Sequence, residues 1–283
     1  IVKNRSNAQI FYGGCSVNIA YALCRLGVCA KPVLRVGGDY ESNGFKKFLQ
    51  EGSVPLDGIT ELPEEATSVC YLIQDNNNDH ITIFYPGAMD GKYARPLADE
   101  LFADVKLGVI TVASRQDNEE FFAKCRKHKV PVVFGMKDDF NAFPEAFLKQ
   151  LLQGSKIIFT NEVERKMIED MYGLKDITEI FEIGEVEIIV NTLGREGSVC
   201  YIREGEKVRK EKIGICKVER VVDATGSGDA YMAGFIYGYL HGCQPEECCK
   251  LGGTLSSFIL QAEGCCTNVP TERQLLEKVK VFE

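Results

Sequence analysis

The chain has 283 residues, of which 45% are hydrophobic and 26% charged, a composition typical of a globular protein with a sizeable core. A net charge of −8 and the lack of a long basic run argue against nucleic-acid binding as its main activity. Its apolar runs stay well short of the roughly 20 residues that a membrane helix needs, and its opening residues do not have the pattern of a signal peptide. Twelve cysteines without a C-x-x-C pair favour reduced core thiols over zinc sites or disulfides, as in a cytoplasmic protein.

The first part of the chain predicts a helix, a strand and a β-hairpin. Residues 15–27 carry apolar side chains at helical spacing and end at a glycine, and residues 31–39 predict a strand that runs into a glycine turn. Residues 67–74 and 80–85 flank the turn "DNNND", as the two strands of a hairpin do. We expect lid segments at about 5–13 and 67–86.

From residue 107 onwards, short apolar strands alternate with helices. Continuous apolar strands of this kind are typical of a parallel sheet that helices cover on both faces. The strands are predicted at 107–113, 131–135, 156–160 and 186–192, with helices at 117–128 and 161–172, a second hairpin at 197–213 and a mostly helical chain after 226. The sequence therefore predicts a single α/β domain over 1–283, with a doubly wound, mostly parallel sheet and a small β lid.

The stretch "VVDATGSGDAY" at 221–231 places two glycines and two aspartates directly before an apolar run. "KVERVVD" predicts a strand, "ATGSG" a turn, and the following residues a helix. One face of that helix would hold Ala233, Ile236, Tyr237 and Leu240. The N-terminus of such a helix exposes backbone amides, and Gly226 and Gly228 let those amides approach an anion closely.

Asp229 falls in the first turn of the predicted helix, next to this anion hole. A carboxylate there would repel a phosphate unless it has a separate task. Deprotonating a hydroxyl that attacks phosphorus is such a task. The alternative is an aspartate that only caps a helix after a glycine turn. The stretch is neither a P-loop nor a dinucleotide fingerprint, because it lacks the lysine of the first and the third glycine of the second.

"DATGSGDAYMAGF" resembles the D-T-x-G-A-G-D signature of the ribokinase (PfkB) family of carbohydrate and nucleoside kinases. Four other stretches resemble further landmarks of this family in the same order along the chain. They are "YGGCSVNIAYALCRLG" at 12–27, "TNEVE" at 160–164, "NTLGREGSVCY" at 191–201 and "EGCCTNVPT" at 263–271. The resemblance spans nearly the whole chain and implies a ribokinase-like fold and ATP-dependent phosphoryl transfer.

The resemblance also implies roles for individual residues. It makes Asp229 the general base and gives the anion hole to the amides of residues 224–228. The catalytic residues beside the base would be Gly226, Ser227 and Gly228. ATP would be bound by Thr192, Gly194 and Gly197 at its phosphates and ribose, by Ala224, Thr225, Gly226 and Gly228 in the loop, and by Gly253 and Ser256 at the adenine.

Substrate and metal residues follow from the same resemblance. Gly13, Gly14 and Asn18 would meet the substrate, because glycines allow close backbone approach and asparagine offers a donor and an acceptor to vicinal hydroxyls. Taken alone, they are equally a glycine turn before a helix. Asn161 and Glu164 would position Mg²⁺, although their spacing by itself favours a capping box, and the two roles can coexist. The resemblance leaves open a requirement for K⁺ and a homodimer formed through the lid.

The chain departs from the family pattern at two places. The family usually has an aspartate after the strand at 131–135, where this chain has Gly135, followed by Met136 and Lys137. Family members also begin with a strand whose aspartate holds sugar hydroxyls, and we expect this strand to be missing from the sequence shown. Both departures favour a rival hypothesis, a non-catalytic nucleotide-binding regulator. The residues that argue against it are Asp229, Asn161 and Glu164.

The lid indicates the substrate class. "DNNNDHITIFYPGAM" at 75–89 resembles the lid and hinge of adenosine-kinase-like and archaeal nucleoside kinases. Phe84 and Tyr85 are candidates for stacking on a base, and only one of them can face the cleft because successive strand residues face opposite sides. The predicted reaction is phosphorylation of the 5′-hydroxyl of a nucleoside, with Phe84 among the substrate-binding residues. The alternative within the family is a sugar kinase acting on ribose or fructose.

Overall fold

The first part of the chain forms two helices, a two-stranded parallel sheet and a β-hairpin. The computed structural model describes residues 9–74, 80–137 and 139–282. The elements of this part are α1 Cys15–Arg25, β1 Leu34–Gly37, α2 Phe45–Glu51, β2 Ile59–Leu62, β3 Val69–Gln74 and β4 His80–Tyr85. β1 and β2 pair in parallel, and β3 and β4 form the predicted antiparallel hairpin. The turn "DNNND" and residues 5–8 of the predicted lid lie outside the described residues.

A six-stranded sheet forms the centre of the rest of the chain that the structure describes. Its elements and their helices are β5 Gly108–Ile110, α3 Arg115–Lys127, β6 Val132–Gly135, α4 Glu145–Gly154, β7 Ile157–Asn161, α5 Glu162–Tyr172, α6 Ile180–Ile183, β8 Ile188–Thr192, β9 Ser198–Glu204 and β10 Lys207–Ile213. The four strands from β5 to β8 are parallel neighbours, whereas β9 and β10 add an antiparallel hairpin at one edge. The predicted mostly parallel sheet is confirmed, as are the hairpin at its edge and the separate hairpin of β3 and β4.

Helices cover both faces of this sheet because its central strands are apolar on both sides. Val133 and Ile157 join one core cluster with α1 and the last three helices, α7 Ser227–Leu240, α8 Pro245–Ile259 and α9 Glu272–Lys278. Phe134 and Ile158 join the other cluster, which contains side chains of α3 to α6. Alternate strand residues therefore serve opposite layers. In the described ranges, none of the helices has the uninterrupted apolar length of a bilayer span.

One local prediction near α7 was wrong, and α7 is more deeply buried than its spacing indicated. The predicted strand "KVERVVD" is irregular: Val221 and Val222 are 46% and 45% exposed, and the Val222 amide donates to the Leu260 carbonyl rather than to a strand. The helix α7 does not bury one face only, since every residue from Asp229 to Gly238 is buried. It is enclosed between α1, α8 and the sheet, where Gly234 lets the backbone of α8 approach closely. Neither the valines of "KVERVVD" nor the apolar stripe of α7 shows which elements these segments pack against.

Half of the cysteines lie in the core, where the core-thiol prediction places them. Six of the twelve are buried, four are half-buried and two are exposed. Burial raises the pKa of several of them, for example Cys125 to about 12. Such thiols stay protonated at neutral pH and pack as small apolar groups. Their redox state in the isolated protein stays a prediction.

Candidate active site

The loop before α7 is held by Asp223. Its carboxylate accepts hydrogen bonds from the amides of Thr225 at 2.8 Å and Gly264 at 3.0 Å. Burial opposes the charge on Asp223, but the hydrogen bonds from Thr225 and Gly264 outweigh it and hold its pKa below the ordinary value. Gly226 then begins α7 with a φ of 79°, and a Cβ there would lie 2.7 Å from Cys265 Cβ. The loop therefore needs both a carboxylate and a glycine to reach its position.

Two of the backbone amides of residues 224–228, the predicted anion hole, are already used within the loop. The Thr225 amide already donates to Asp223, and the Ser227 amide donates to the Ala224 carbonyl at 3.2 Å. Within the described residues, the amides of Gly226 and Gly228 have no acceptor. They lie at the positive end of the α7 dipole, the usual place for a bound anion. Their role in phosphate binding stays a prediction.

Asp229 is buried, with 2% exposure, directly after these amides. Its Oδ2 accepts a hydrogen bond from Asn18 Nδ2 at 2.8 Å. Its Oδ1 lies 3.3 Å from Lys137 Nζ and makes no hydrogen bond of good geometry within the described residues. One carboxylate oxygen is thus fixed, while the other keeps a lone pair for an incoming hydroxyl. This is the arrangement that a general base requires.

Of the predicted substrate residues at the start of α1, Asn18 contacts Asp229. Gly14 begins α1 with a φ of 111°, and its carbonyl accepts from the Asn18 amide at 2.7 Å. A Cβ on Gly13 would lie 2.8 Å from Asn18 Oδ1, so this glycine leaves the amide side chain in place. Asn18 Oδ1 also accepts a weak hydrogen bond from Cys266 Sγ at 3.5 Å. Sequence positions at both ends of the chain therefore converge on one buried carboxylate.

Lys137 is the functional candidate that the sequence left without a role. It follows β6 by two residues, at the edge of the sheet where the parallel strands end, and its side chain is 34% exposed. Burial opposes the charge on its ammonium, but the Asp229 carboxylate and other neighbours outweigh it, so the pKa of Lys137 lies above its ordinary value. At Gly135, a Cβ would lie 2.5 Å from Sδ of Met232 on α7, so a side chain at this position would require the methionine to move. A lysine just after a buried strand was the available signal.

Asn161 and Glu164 form the capping box that begins α5. Asn161 Oδ1 accepts from the Glu164 amide at 2.9 Å, and a Glu164 carboxylate oxygen accepts from the Asn161 amide at 2.9 Å. Both side chains also line the cleft that contains Lys137, Thr192 and Gly228. Glu164 is buried, with 5% exposure, whereas Asn161 is exposed, and carboxylate and amide oxygens are ligands that suit Mg²⁺. Among the described residues, no group of three or more His, Cys, Asp or Glu side chains forms a protein-only metal site.

The remaining predicted ATP residues have different surroundings. Thr192 Oγ1 donates to the Thr160 carbonyl at 3.3 Å at the edge of this cleft. Gly197 has a φ of 88°, and a Cβ there would strike the Ile213 carbonyl, so the hairpin alone explains this glycine. Of the predicted site residues, four line the first cleft: Asn161, Glu164, Thr192 and Gly228. The others, Phe84, Gly253 and Ser256 among them, are not among the described residues that line either cleft. Phe84 is 61% exposed on the hairpin, and Gly253 lies beside the Phe282 ring.

A second cleft carries aromatic side chains that the sequence prediction missed. It is lined by Ile10, Phe11, Tyr12, Tyr21, Phe48, Cys266 and Thr267. Tyr21 and Phe48 stack with ring centroids 4.6 Å apart and planes 3° from parallel. Cys266 connects this aromatic cleft to Asn18. The pair "FY" directly before the two glycines was the signal in the sequence.

Comparison with known proteins agrees with this arrangement. The family model described as pfkB family carbohydrate kinase matches residues 2–272, and the chain belongs to this family of phosphotransferases. The chain is 28% identical to the nucleoside kinase of Methanocaldococcus jannaschii over 277 residues, covering 97% of this chain and 87% of that protein. It is 28% identical to the nucleoside kinase of Methanothermobacter thermautotrophicus over 281 residues, covering 94% and 84%.

Solved structures extend this similarity to the fold. The crystal structure of the M. jannaschii nucleoside kinase superposes with a TM-score of 0.87 at 26% identity, covering 99% of this chain and 92% of that one. The nucleoside kinase of Burkholderia thailandensis in complex with ADP-inosine has a TM-score of 0.85 at 25% identity, covering 100% and 88%. The ribokinase-like fold predicted from the sequence is confirmed.

Proposed function

We propose that this protein transfers the γ-phosphoryl group of ATP to the 5′-hydroxyl of a nucleoside. The observation that carries the proposal is the buried Asp229 carboxylate, which keeps one oxygen without a hydrogen bond beside the amides that begin α7. A general base next to an anion hole is the arrangement needed to activate a hydroxyl against a phosphate. The two nucleoside kinases of 28% identity support the substrate class.

The chemistry uses few residues of this chain. Asn18 orients the Asp229 carboxylate, whose Oδ1 takes the proton of the acceptor hydroxyl. The hydroxyl oxygen forms a bond to the γ-phosphorus while the bond from phosphorus to the bridging oxygen breaks, and ADP leaves with that electron pair. The amides of Gly226 and Gly228 and the α7 dipole stabilise the transferred group.

Two cations belong to this proposal. Asn161 and Glu164 would hold Mg²⁺ at the cleft, and Mg²⁺ supplies charge neutralisation at the phosphates when it is bound. K⁺ is proposed as a further activator. Comparing rates in KCl and NaCl at equal ionic strength tests it, and equal rates would remove K⁺ from the proposal.

The aromatic cleft favours a nucleoside over a free sugar. Stacking on an aromatic side chain contributes roughly 1–3 kcal/mol per base, which is about one to two powers of ten in affinity. A free sugar gains no such contribution. Tyr21 and Phe48 provide stacked rings close to Asn18, and Phe84 on the hairpin stays a second candidate.

ADP release over a panel of acceptors tests the proposed function. The panel contains adenosine, inosine, guanosine, cytidine, uridine, ribose and fructose. We expect kcat/KM for at least one nucleoside to exceed that for either sugar by about ten-fold or more. A preference for a sugar would refute the nucleoside assignment and leave the kinase intact. No ADP release with any acceptor would favour the nucleotide-binding regulator.

We also propose that the hairpin mediates a homodimer. Cross-strand neighbours place Val69, Tyr71, Ile73, Ile81, Ile83 and Tyr85 on one face, and Leu72 and Phe84 on the other. All eight side chains are between 39% and 66% exposed. A hairpin that is apolar on both faces can cover the cleft with one face and pack against a second copy of the chain with the other. Light scattering should give twice the chain mass of 31.5 kDa, and a monomer would contradict this proposal.

The cytoplasm is the compartment that these proposals favour. It provides ATP and keeps thiols reduced, as six buried cysteines require if they are to pack as small apolar groups.

A further inference from the structure

Lys137 places a positive charge between the base and the anion hole. Its Nζ lies 3.3 Å from Asp229 Oδ1. On the other side, a Cβ built on Gly228 would lie 4.0 Å from the same Nζ, so the ammonium also faces the first turn of α7. The amide of Gly228 has no acceptor among the described residues. The head group of Lys137 therefore lies where the acceptor hydroxyl and the transferred phosphoryl group would meet.

The negative charges around this cleft require a positive charge to compensate them when a phosphoryl group is transferred. Glu164 lines it, Asp229 lies behind it at 3.3 Å from Lys137, and Lys137 is the basic side chain among the described residues that line it. Phosphoryl transfer adds an anionic group whose charge spreads over three oxygens in the transition state. Two or three amides of a helix N-terminus carry only about half an elementary charge. A full positive charge beside them would therefore contribute strongly to stabilising the transferred group.

We infer that Lys137 is a catalytic residue that contacts the transferred phosphoryl group in the proposed kinase reaction. An ammonium has three N–H donors, so it can keep its contact with Asp229 and donate to a phosphoryl oxygen at the same time. The inference rests on the proposed function. The positive charge then comes from the segment after β6, where the sequence showed only that Gly135, Met136 and Lys137 depart from the family pattern.

The alternative is a lysine that acts only through Asp229, by holding the carboxylate ionised and in place. The two roles differ in what each variant loses. A lysine that only positions the base would matter less at higher pH, and the acid limb of the pH–rate profile would move when it is removed. A lysine that contacts phosphoryl oxygens would be needed at every pH and for binding a planar phosphate mimic.

The test compares Lys137→Met with the wild type, using the panel nucleoside of highest kcat/KM. We expect kcat to fall by about 10²–10³, as for removal of one charge-stabilising donor, with KM for the nucleoside within about three-fold. Binding of ADP with aluminium fluoride and the nucleoside should weaken by about the same factor, while binding of ADP alone stays unchanged. Lys137→Arg should recover part of both losses because it keeps the charge.

Two controls keep the result interpretable. Lys149→Met removes an exposed lysine from α4 and should match the wild type in every measurement. Lys137→Gln replaces the Met variant if that variant fails to fold by thermal unfolding. A Lys137 variant that binds the aluminium fluoride complex as tightly as the wild type, or that regains its rate at higher pH, would overturn the inference alone. A wild type without ADP release for any acceptor would overturn the proposed function, and this inference with it.

Discussion

Replacing Asp229 with Asn tests the base directly, because it removes the proton acceptor and keeps the shape. The amide oxygen of the variant can still accept from Asn18, whose Nδ2 lies 2.8 Å from Oδ2 in the wild type. The amide nitrogen would then face the Lys137 ammonium, which is now 3.3 Å from Oδ1. The variant therefore loses proton transfer and one ion pair, but no backbone donor of the anion hole.

The two losses have different sizes. General base catalysis contributes about 10²–10⁴ in rate, which corresponds to roughly 3–5 kcal/mol at 1.36 kcal/mol per power of ten. The lost ion pair costs between about 1 kcal/mol for an exposed pair and 3–5 kcal/mol for a buried one. Lys137 is 34% exposed and can be hydrated again, so the lower part of that range applies. We expect kcat to fall by about 10²–10⁴ and the Tm by only a few degrees.

Steady-state ADP release gives kcat, calorimetry gives the Kd for ATP, and a thermal scan gives the Tm. The Kd for ATP should stay within about three-fold of the wild-type value, because the loop amides are untouched. Asp170→Asn is the matched control: this aspartate is exposed on α5, and its variant should be indistinguishable from the wild type. Near-normal turnover of Asp229→Asn would refute the assignment. A loss of rate that only follows a loss of folded protein would refute it as well.

Three further predictions concern the metal, the hairpin and the loop. Glu164→Gln should raise the Mg²⁺ concentration for half-maximal rate, whereas a lower Tm with an unchanged Mg²⁺ profile would leave the glutamate as a helix cap only. Gly197→Ala should lower the free energy of unfolding by roughly 3 kcal/mol in urea titrations, because its Cβ would strike the Ile213 carbonyl at a φ of 88°. Gly205→Ala, at a φ of 65° in open space, should cost only about 1–2 kcal/mol, and equal losses would contradict this reasoning. The pKa of Asp223 is lowered in the folded state, so its stabilisation is present above the ordinary 3.8 and is lost as the pH falls through the folded value. The difference in free energy of unfolding between the wild type and Asp223→Asn should therefore become smaller in acid. A difference that is constant with pH would contradict the reasoning that the Asp223 carboxylate stabilises the loop.

The sheet was predictable because each parallel strand carries its own signal. β6 and β7 are apolar at successive positions since both faces are buried, and no distant residue is needed to recognise that. The glycines around Asp229 were predictable for a similar reason: a turn that exposes amides needs residues without a Cβ, wherever the chain leads next. The capping box at Asn161 and Glu164 is likewise complete within four residues.

Two features that the sequence did not reveal, the irregular segment "KVERVVD" and the burial of α7, depend on which elements of the fold become neighbours. "KVERVVD" has the composition of a strand, but its partner in the structure is the end of α8, where Val222 donates to Leu260. The position of α7 at the centre of one layer is set by α1 and α8 together, so its apolar stripe alone could not show that it is buried on all sides.

The roles of Gly135 and Lys137 depend on their neighbours in the fold, which the linear sequence does not show. In the linear sequence, Gly135 is a missing carboxylate and Lys137 an ordinary charged residue after a strand. In the fold, Met232 of α7 occupies the space that a side chain at 135 would need, with its Sδ 2.5 Å from the Cβ position. The same helix brings Asp229 to 3.3 Å from the lysine ammonium. Because α7 provides both Met232 and Asp229, its position beside the end of β6 accounts for both observations at once.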